Sequence, residues 1–218
     1  MYKAILFDLD GTLINSLDDL ADSANYALKK LNYPVHETEK YKYFVGDGVF
    51  KLMERVLPEG KRTQSEIESL LEIYLPYYER HSFDKTKPYS GITQTLLKLR
   101  EAGIKLAVVT NKPEDISKVI IQNFFGNSLF DTCLGSKSTR AQKPAPDIVF
   151  DTLRILGAEP SQTLFVGDTA VDMQTAANSG CVSAGALWGF RTEEELLNSG
   201  AKYIARTPED LLSITAIG

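Results

Sequence analysis

Ala4-Ile5-Leu6-Phe7-Asp8-Leu9-Asp10-Gly11-Thr12 is the stretch that decides how this chain folds. Four consecutive apolar residues open it, and 4–9 reads as a short strand buried on both faces, as in a parallel sheet. Side chains two apart on a strand point the same way, so Asp8 and Asp10 would stand together at its C-terminal end, before a turn at Gly11-Thr12. Ligands bind at that edge in open α/β sheets. Two carboxylates 4 Å apart repel by roughly 4 kcal/mol at an effective dielectric near 20, and a cation or a shared proton would relieve them. Aspartates can equally serve the backbone of a turn, so the stretch needs support from elsewhere.

Working outward, similar apolar runs at 106–110, 132–134, 164–166, 182–187 and 203–205 read as further strands. Helical patterns lie between them. Residues 93–101 end at Ala102-Gly103, Pro113 opens 114–123 at a favoured first-turn position, and 146–156 end at Gly157. Repeated β-α-β units imply right-handed crossovers and a doubly wound parallel-sheet α/β core. From residue 15 to 85 the rhythm changes. Segments 16–31, 49–57 and 65–80 have helical spacing, separated by Pro34 and the turn at Pro58-Glu59-Gly60, and no strand interrupts them. The expected organisation is an α/β core of residues 1–14 and 86–218, with a small α-helical domain, 15–85, inserted after the first strand.

A second acidic cluster repeats the first. Leu164-Phe165-Val166 leads into Gly167-Asp168-Thr169, with Asp172 four residues after Asp168, where the two would share a helix face or cap its start. Oxygen ligands without a neighbouring histidine suit magnesium. Two candidate phosphate ligands lie between the acidic clusters. Thr110-Asn111 ends a strand just before a helix N-terminus, and Lys143 sits in a proline-stiffened loop, Pro144-Ala145-Pro146.

Lys and Arg total 24 against 29 Asp and Glu, a formal charge of −5. An acidic chain without a basic stripe argues against nucleic acid, and the lack of a polybasic segment or a long apolar run argues against a membrane. Cys133 and Cys181 stand alone in apolar surroundings and read as reduced buried thiols, which makes the cytoplasm the expected location. There is no dinucleotide fingerprint and no nucleoside-triphosphate loop, and the two histidines, His36 and His81, have no zinc spacing.

The ordered set Asp8-Leu9-Asp10-Gly11-Thr12, Thr110-Asn111, Lys143-Pro144 and Gly167-Asp168 through Asp172 resembles the haloacid dehalogenase superfamily. Within it the chain is most similar to phosphoglycolate phosphatases, through Pro88-Tyr89-Ser90-Gly91, 108–113, 143–147 and Trp188-Gly189-Phe190-Arg191. The resemblance implies a phosphatase acting on a small phosphorylated metabolite, with Asp8 as nucleophile and Asp10 as general acid and base. It implies Mg2+ at Asp8, the Asp10 carbonyl and Asp168, with Asp172 in support, and phosphate held by Thr110, Asn111 and Lys143. The inserted helices resemble a cap, in which Gly46-Asp47-Gly48 is a candidate specificity loop. The alternative there is a helix start at Asp47. Asn15-Ser16 departs from the acidic residue and Ser or Thr of many relatives. Asp10 with Asp168 argues against a dehalogenase. A phosphomutase of the β-phosphoglucomutase kind, a pyrophosphatase, a phosphonatase using a cap lysine (Lys29, Lys30, Lys40, Lys42 or Lys51) and a non-catalytic phosphate binder stay open. The expected assembly is a monomer or small homo-oligomer.

Overall fold

The computed structural model describes residues 2–216. In chain order the elements are β1 (Ala4–Phe7), β2 (Ile14–Asn15), α1 (Leu17–Lys30), α2 (Tyr41–Phe44), α3 (Gly48–Val56), α4 (Gln64–His81) and β3 (Lys87–Pro88). There follow α5 (Ile92–Glu101), β4 (Lys105–Pro113), α6 (Glu114–Phe125), β5 (Thr132–Ser136), α7 (Asp147–Leu156) and β6 (Thr163–Gly167). The chain closes with α8 (Ala170–Ser179), β7 (Val182–Ala186), α9 (Glu193–Asn198), β8 (Tyr203–Ala205) and α10 (Asp210–Ile214). It divides into two compact units, one formed by residues up to Ile14 and from Pro88 onward, the other by Asn15–Lys87.

In the first unit six strands lie in the order β5-β4-β1-β6-β7-β8, and every pair is parallel. Alternate residues of each central strand feed two separate apolar layers. Ile5, Phe7, Leu106, Val108, Leu164 and Val166 pack with Ile92 and Leu96 of α5, Ile120 of α6 and Leu211 of α10. Ala4, Leu6, Ala107, Val109 and Phe165 pack with Ile148, Val149 and Leu153 of α7 and Ala176 of α8. A strand covered on both faces has no polar side to display, which is why these runs are apolar at consecutive positions. This is the expected α/β fold.

Element ends differ from expectation. β1 stops at Phe7 because the Leu9 carbonyl gathers the amides of Thr12, Leu13 and Ile14 into a tight turn, although Asp8 N still donates to Val166 O at 2.9 Å. β4 runs on to Pro113 through an irregularity: Val109 pairs with Leu134 and the next partners are Pro113 and Ser136, so β4 is bulged. A bulge of this kind re-aims side chains, here those of Thr110, Asn111 and Lys112. Pro113 and Pro146 occupy the cap positions of α6 and α7, one residue before the first turn where they were expected.

The second unit is helical. Leu20, Ala24, Ala27 and Leu28 of α1, Leu52, Met53 and Val56 of α3 and Ile67, Leu70, Tyr74 and Tyr78 of α4 are buried. Asn25 ties the connection after α1, donating to His36 O at 2.8 Å and accepting from His36 N at 3.0 Å and Tyr41 Oη at 2.8 Å. This unit runs through Lys87, past the expected end at 85. Buried Asp19 accounts for that, accepting from Lys85 N at 3.0 Å, Thr86 N at 2.8 Å and Thr86 Oγ1 at 2.6 Å.

Candidate active site

The sheet register builds the site. Phe7 pairs with Val108 on one side and Val166 on the other, so Asp8, Thr110 and Asp168 follow one rung of three adjacent strands. Beyond β1 the chain must turn at once, and Gly11 makes this feasible with φ +85, a region that costs other residues free energy. A Cβ at Gly11 would also run into the Asp168 carboxylate.

Asp8, Asp168 and Asp172 are all buried, and each offers a carboxylate oxygen within 4.8 Å of the others. Lys143 reaches into this group from the loop before α7. Its Nζ lies 2.7 Å from Asp172 Oδ1, donates to Val109 O at 3.1 Å, and stands 2.8 Å from Asp8 Oδ1 as an ion pair. Asp8 Oδ1 is buried against that ammonium. Asp172 Oδ2 accepts from Thr169 N at 3.0 Å and Thr169 Oγ1 at 2.7 Å, closing the start of α8. Asp172 therefore closes the start of α8 with one oxygen while the other meets Lys143.

Asp168 directly follows β6 and is not on the helix. Its Oδ1 accepts from Thr12 Oγ1 at 2.9 Å and its Oδ2 from Phe190 N at 2.9 Å. Trp188 Nε1 donates to Thr12 O at 2.9 Å, tying the first motif to the segment that supplies Phe190. Asp10 takes a different partner, Lys112, whose Nζ is 3.1 Å from both carboxylate oxygens. Thr110 is buried at the bulge, where its Oγ1 accepts from Lys112 N at 3.2 Å. The Asn111 side chain clamps the Lys143 backbone, donating to Lys143 O at 3.0 Å and accepting from Lys143 N at 2.8 Å. Asn111 was expected as a phosphate ligand through its backbone; its side chain is a brace for Lys143.

Burial sets the electrostatics. It pushes the Asp8 carboxyl up to about 6, with Lys143 pulling down and Asp172 and Asp10 pushing up. Burial also raises Asp168 well above the usual range, helped by Asp172 and Asp8 and opposed by the Phe190 amide and Thr12. For Lys143 burial acts downward, but Asp172 and Asp8 outweigh it and hold the ammonium charged. Tyr89 is kept in its neutral form by burial and by the charges of Asp168 and Asp10.

A divalent cation fits this donor set. Asp8, Asp168 and Asp172 crowd around one ammonium, Lys143, and burial with their mutual repulsion raises Asp8 and Asp168, a strain that a divalent cation would relieve. Hard carboxylate oxygens gathered this closely are what such an ion takes.

Sequence reasoning missed Lys112, Thr12, the Phe190 amide and Tyr89 as members of the site. Lys112 carried a signal, since it lies two residues from Thr110 at a strand end. Gly46, Asp47 and Gly48 lead into α3 in the helical unit; Asp47 makes no capping hydrogen bond and pairs with Arg55 Nη2 at 2.5 Å. Lys42 and Lys51, named for a Schiff base, pair with Glu39 at 2.7 Å and Glu54 at 2.5 Å. Cys133 and Cys181 are separate buried thiols. No helix among the described residues is long and apolar enough to cross a membrane.

Residues 5–186 match the family described as haloacid dehalogenase-like hydrolase, and the chain belongs to that family. Family and relatives together make it a phosphatase. A phosphoglycolate phosphatase of Aquifex aeolicus is 39% identical over 212 residues, covering 97% of this chain and 96% of its own length. One from Haemophilus influenzae is 35% identical over 219 residues, covering 98% of each. The crystal structure of a Lactobacillus delbrueckii protein assigned as a phosphoglycolate phosphatase superposes with a TM-score of 0.94 at 34% identity over 98% of both chains.

Proposed function

We propose that this phosphatase hydrolyses a small phosphorylated metabolite, of which 2-phosphoglycolate is the first to test, with magnesium and through a phosphorylated Asp8. The observation that carries the reading is the position of Asp8. It is buried at the end of β1, held against Lys143 and within reach of Asp168 and Asp172. Its carboxylate oxygen attacks phosphorus as the ester P–O bond breaks, and Asp10 gives its proton to the departing alkoxide. Asp10 then takes a proton from the water that attacks the phosphorylated aspartate, which frees inorganic phosphate and restores the Asp8 carboxylate. Lys143, the Thr110 hydroxyl and the Asn111 amide hold the phosphoryl oxygens as charge shifts among them. Asp8, the Asp10 carbonyl and Asp168 would hold magnesium, with Asp172 in support, and the ion would supply positive charge against the phosphate and the Asp8 carboxylate.

The helical unit is proposed as the part that selects the substrate, with Gly46-Asp47-Gly48 as its candidate loop. The proposed location is the cytoplasm, supported by the two separate thiols. Turnover of 2-phosphoglycolate, sugar phosphates, pyrophosphate and a phosphonate, measured with magnesium and with EDTA, separates this reading from mutase, pyrophosphatase and phosphonatase activity. Asp8→Asn is expected to abolish turnover while the circular dichroism is unchanged. Undiminished turnover in that variant, or in EDTA, would refute the mechanism.

A further inference from the structure

Glu114 is the first residue of α6, directly after the bulged end of β4. Its side chain is 3% exposed and yet ionic. Lys118 Nζ stands 2.5 Å away, Lys137 Nζ 2.8 Å and Arg140 Nη1 3.2 Å, and Gly135 N donates to its Oε2 at 3.3 Å. Lys118 lies one turn along the same helix and would suffice for an ordinary helix pair. The other three donors come from the end of β5 and the loop after it. Arg140 Nη1 also donates to Gly135 O at 2.9 Å, and its Nε is 3.3 Å from Asp151 on α7.

That loop delivers Lys143. It is therefore gripped twice from the junction of β4 and α6: Glu114 holds Lys137 and Arg140, and Asn111 holds the Lys143 backbone. Between Ser136 and Asp147 no helix or strand fixes the chain, so these grips stand in for regular structure. The grip is strong. Burial alone would raise Glu114, and the bonds from Lys118, Lys137, Gly135 N and Arg140 bring its carboxyl down to about 2.

We propose that Glu114 is a positioning residue for phosphoryl transfer: it latches the loop so that the Lys143 ammonium is delivered between Asp8 and Asp172. This rests on the reading of Lys143 as part of the reacting site. A lysine misplaced by the slack of an unlatched loop stabilises the transition state less, and displacements near 1 Å can cost up to about a hundredfold in rate.

The test is Glu114→Gln in the full chain, which keeps the shape and removes the charge, assayed on p-nitrophenyl phosphate with magnesium. The expected result is a fall in kcat of roughly ten- to a hundredfold, a smaller change in KM, and faster native-state trypsin cleavage after Lys137 and Arg140. Arg140→Met, which leaves Glu114 its two lysines, is the second variant should the first fail to fold; its kcat is expected to fall in the same direction. Combined with Glu114→Gln it should add little further loss. Wild-type kcat in the folded variants, with only the melting temperature lowered, would overturn the proposal, as would unchanged trypsin cleavage after Lys137, a site both variants retain. Lys143→Met is the control. If it is inactive while Glu114→Gln turns over normally, the latch alone is wrong; if it is active, the reading of the site falls and the latch with it.

Discussion

Replacing Lys143 by methionine removes one charge and little volume from the most crowded part of the site. The ammonium lies 2.8 Å from Asp8 Oδ1 and 2.7 Å from Asp172 Oδ1. At an effective dielectric near 20 each pairing is worth about 6 kcal/mol of attraction. The cost of burying the charges offsets most of that, so the expected loss is the one for stripping one partner from a buried ionic cluster, about 3–5 kcal/mol. In a chain of 218 residues each kcal/mol moves Tm by about 2–4 °C, which puts the variant about 6–20 °C below the parent in EDTA. The variant keeps Asp8, Asp168 and Asp172 together without the ammonium beside them. A free concentration of 100 Kd adds about 2.7 kcal/mol to any protein that binds the ion, so a variant that binds magnesium more tightly should gain more than the parent at equal magnesium. The assay is thermal unfolding with EDTA and with a magnesium titration, alongside turnover of p-nitrophenyl phosphate, which should be lost. A Tm in EDTA within about 2 °C of the parent would refute the reasoning, because a buried carboxylate pair cannot lose its cation at so little cost. A smaller magnesium response in the variant would contradict the charge balance.

Lys112→Met strips Asp10 of the partner that holds both its oxygens, so kcat should fall by about tenfold or more, within the range that acid–base catalysis supplies, while the melting curve changes less than for Lys143→Met. Steady-state kinetics and thermal unfolding of the variant check this, and unchanged kcat would remove Lys112 from the site. Glu114 titrates near 4.5 in its ordinary state and near 2 in the fold, so its contribution is full above about pH 4.5 and fades as pH falls toward 2, a total on the order of 3 kcal/mol. Urea midpoints of the parent and Glu114→Gln should therefore converge between pH 6 and pH 3, and a gap independent of pH would show that the carboxylate is not held ionised by its partners.

The strands were legible because burial on both faces leaves a local mark: Ile5 and Leu6 belong to different apolar layers, so neighbouring positions are both apolar. Element ends were less legible, since they depend on groups distant in the chain. The early stop of β1 comes from amides folding back on the Leu9 carbonyl, and the extension of β4 comes from its pairing with Ser136. The same division runs through the site. Asp8 and Asp168 stood out because each directly follows a strand, Lys143 because it lies in a proline-stiffened loop, and Asp172 because it lies in the first turn of a helix. Thr12 was visible only as a turn residue, for its partner Asp168 is 156 positions away. Glu114 read as an ordinary acid near a helix start, where its charge complements the helix dipole, and two of its three cations, Lys137 and Arg140, come from the loop after β5, which no local pattern records.

The two aspartates of the first motif make the sharper case. They look equivalent in Asp8-Leu9-Asp10, and a strand of regular geometry would have pointed both into one environment. The turn after Phe7 separates them. Asp8 is 9% exposed at its side chain and shares its cation with Asp172, and burial pushes its carboxyl up to about 6. Asp10 is 12% exposed and holds both oxygens against Lys112. Two carboxylates can divide nucleophilic and proton-transfer work only if their surroundings differ. In this chain the difference is made by two lysines from separate elements, Lys112 on the bulge of β4 and Lys143 on the loop before α7. The chemistry proposed for the pair therefore depends on the bulge and the loop as much as on the motif itself.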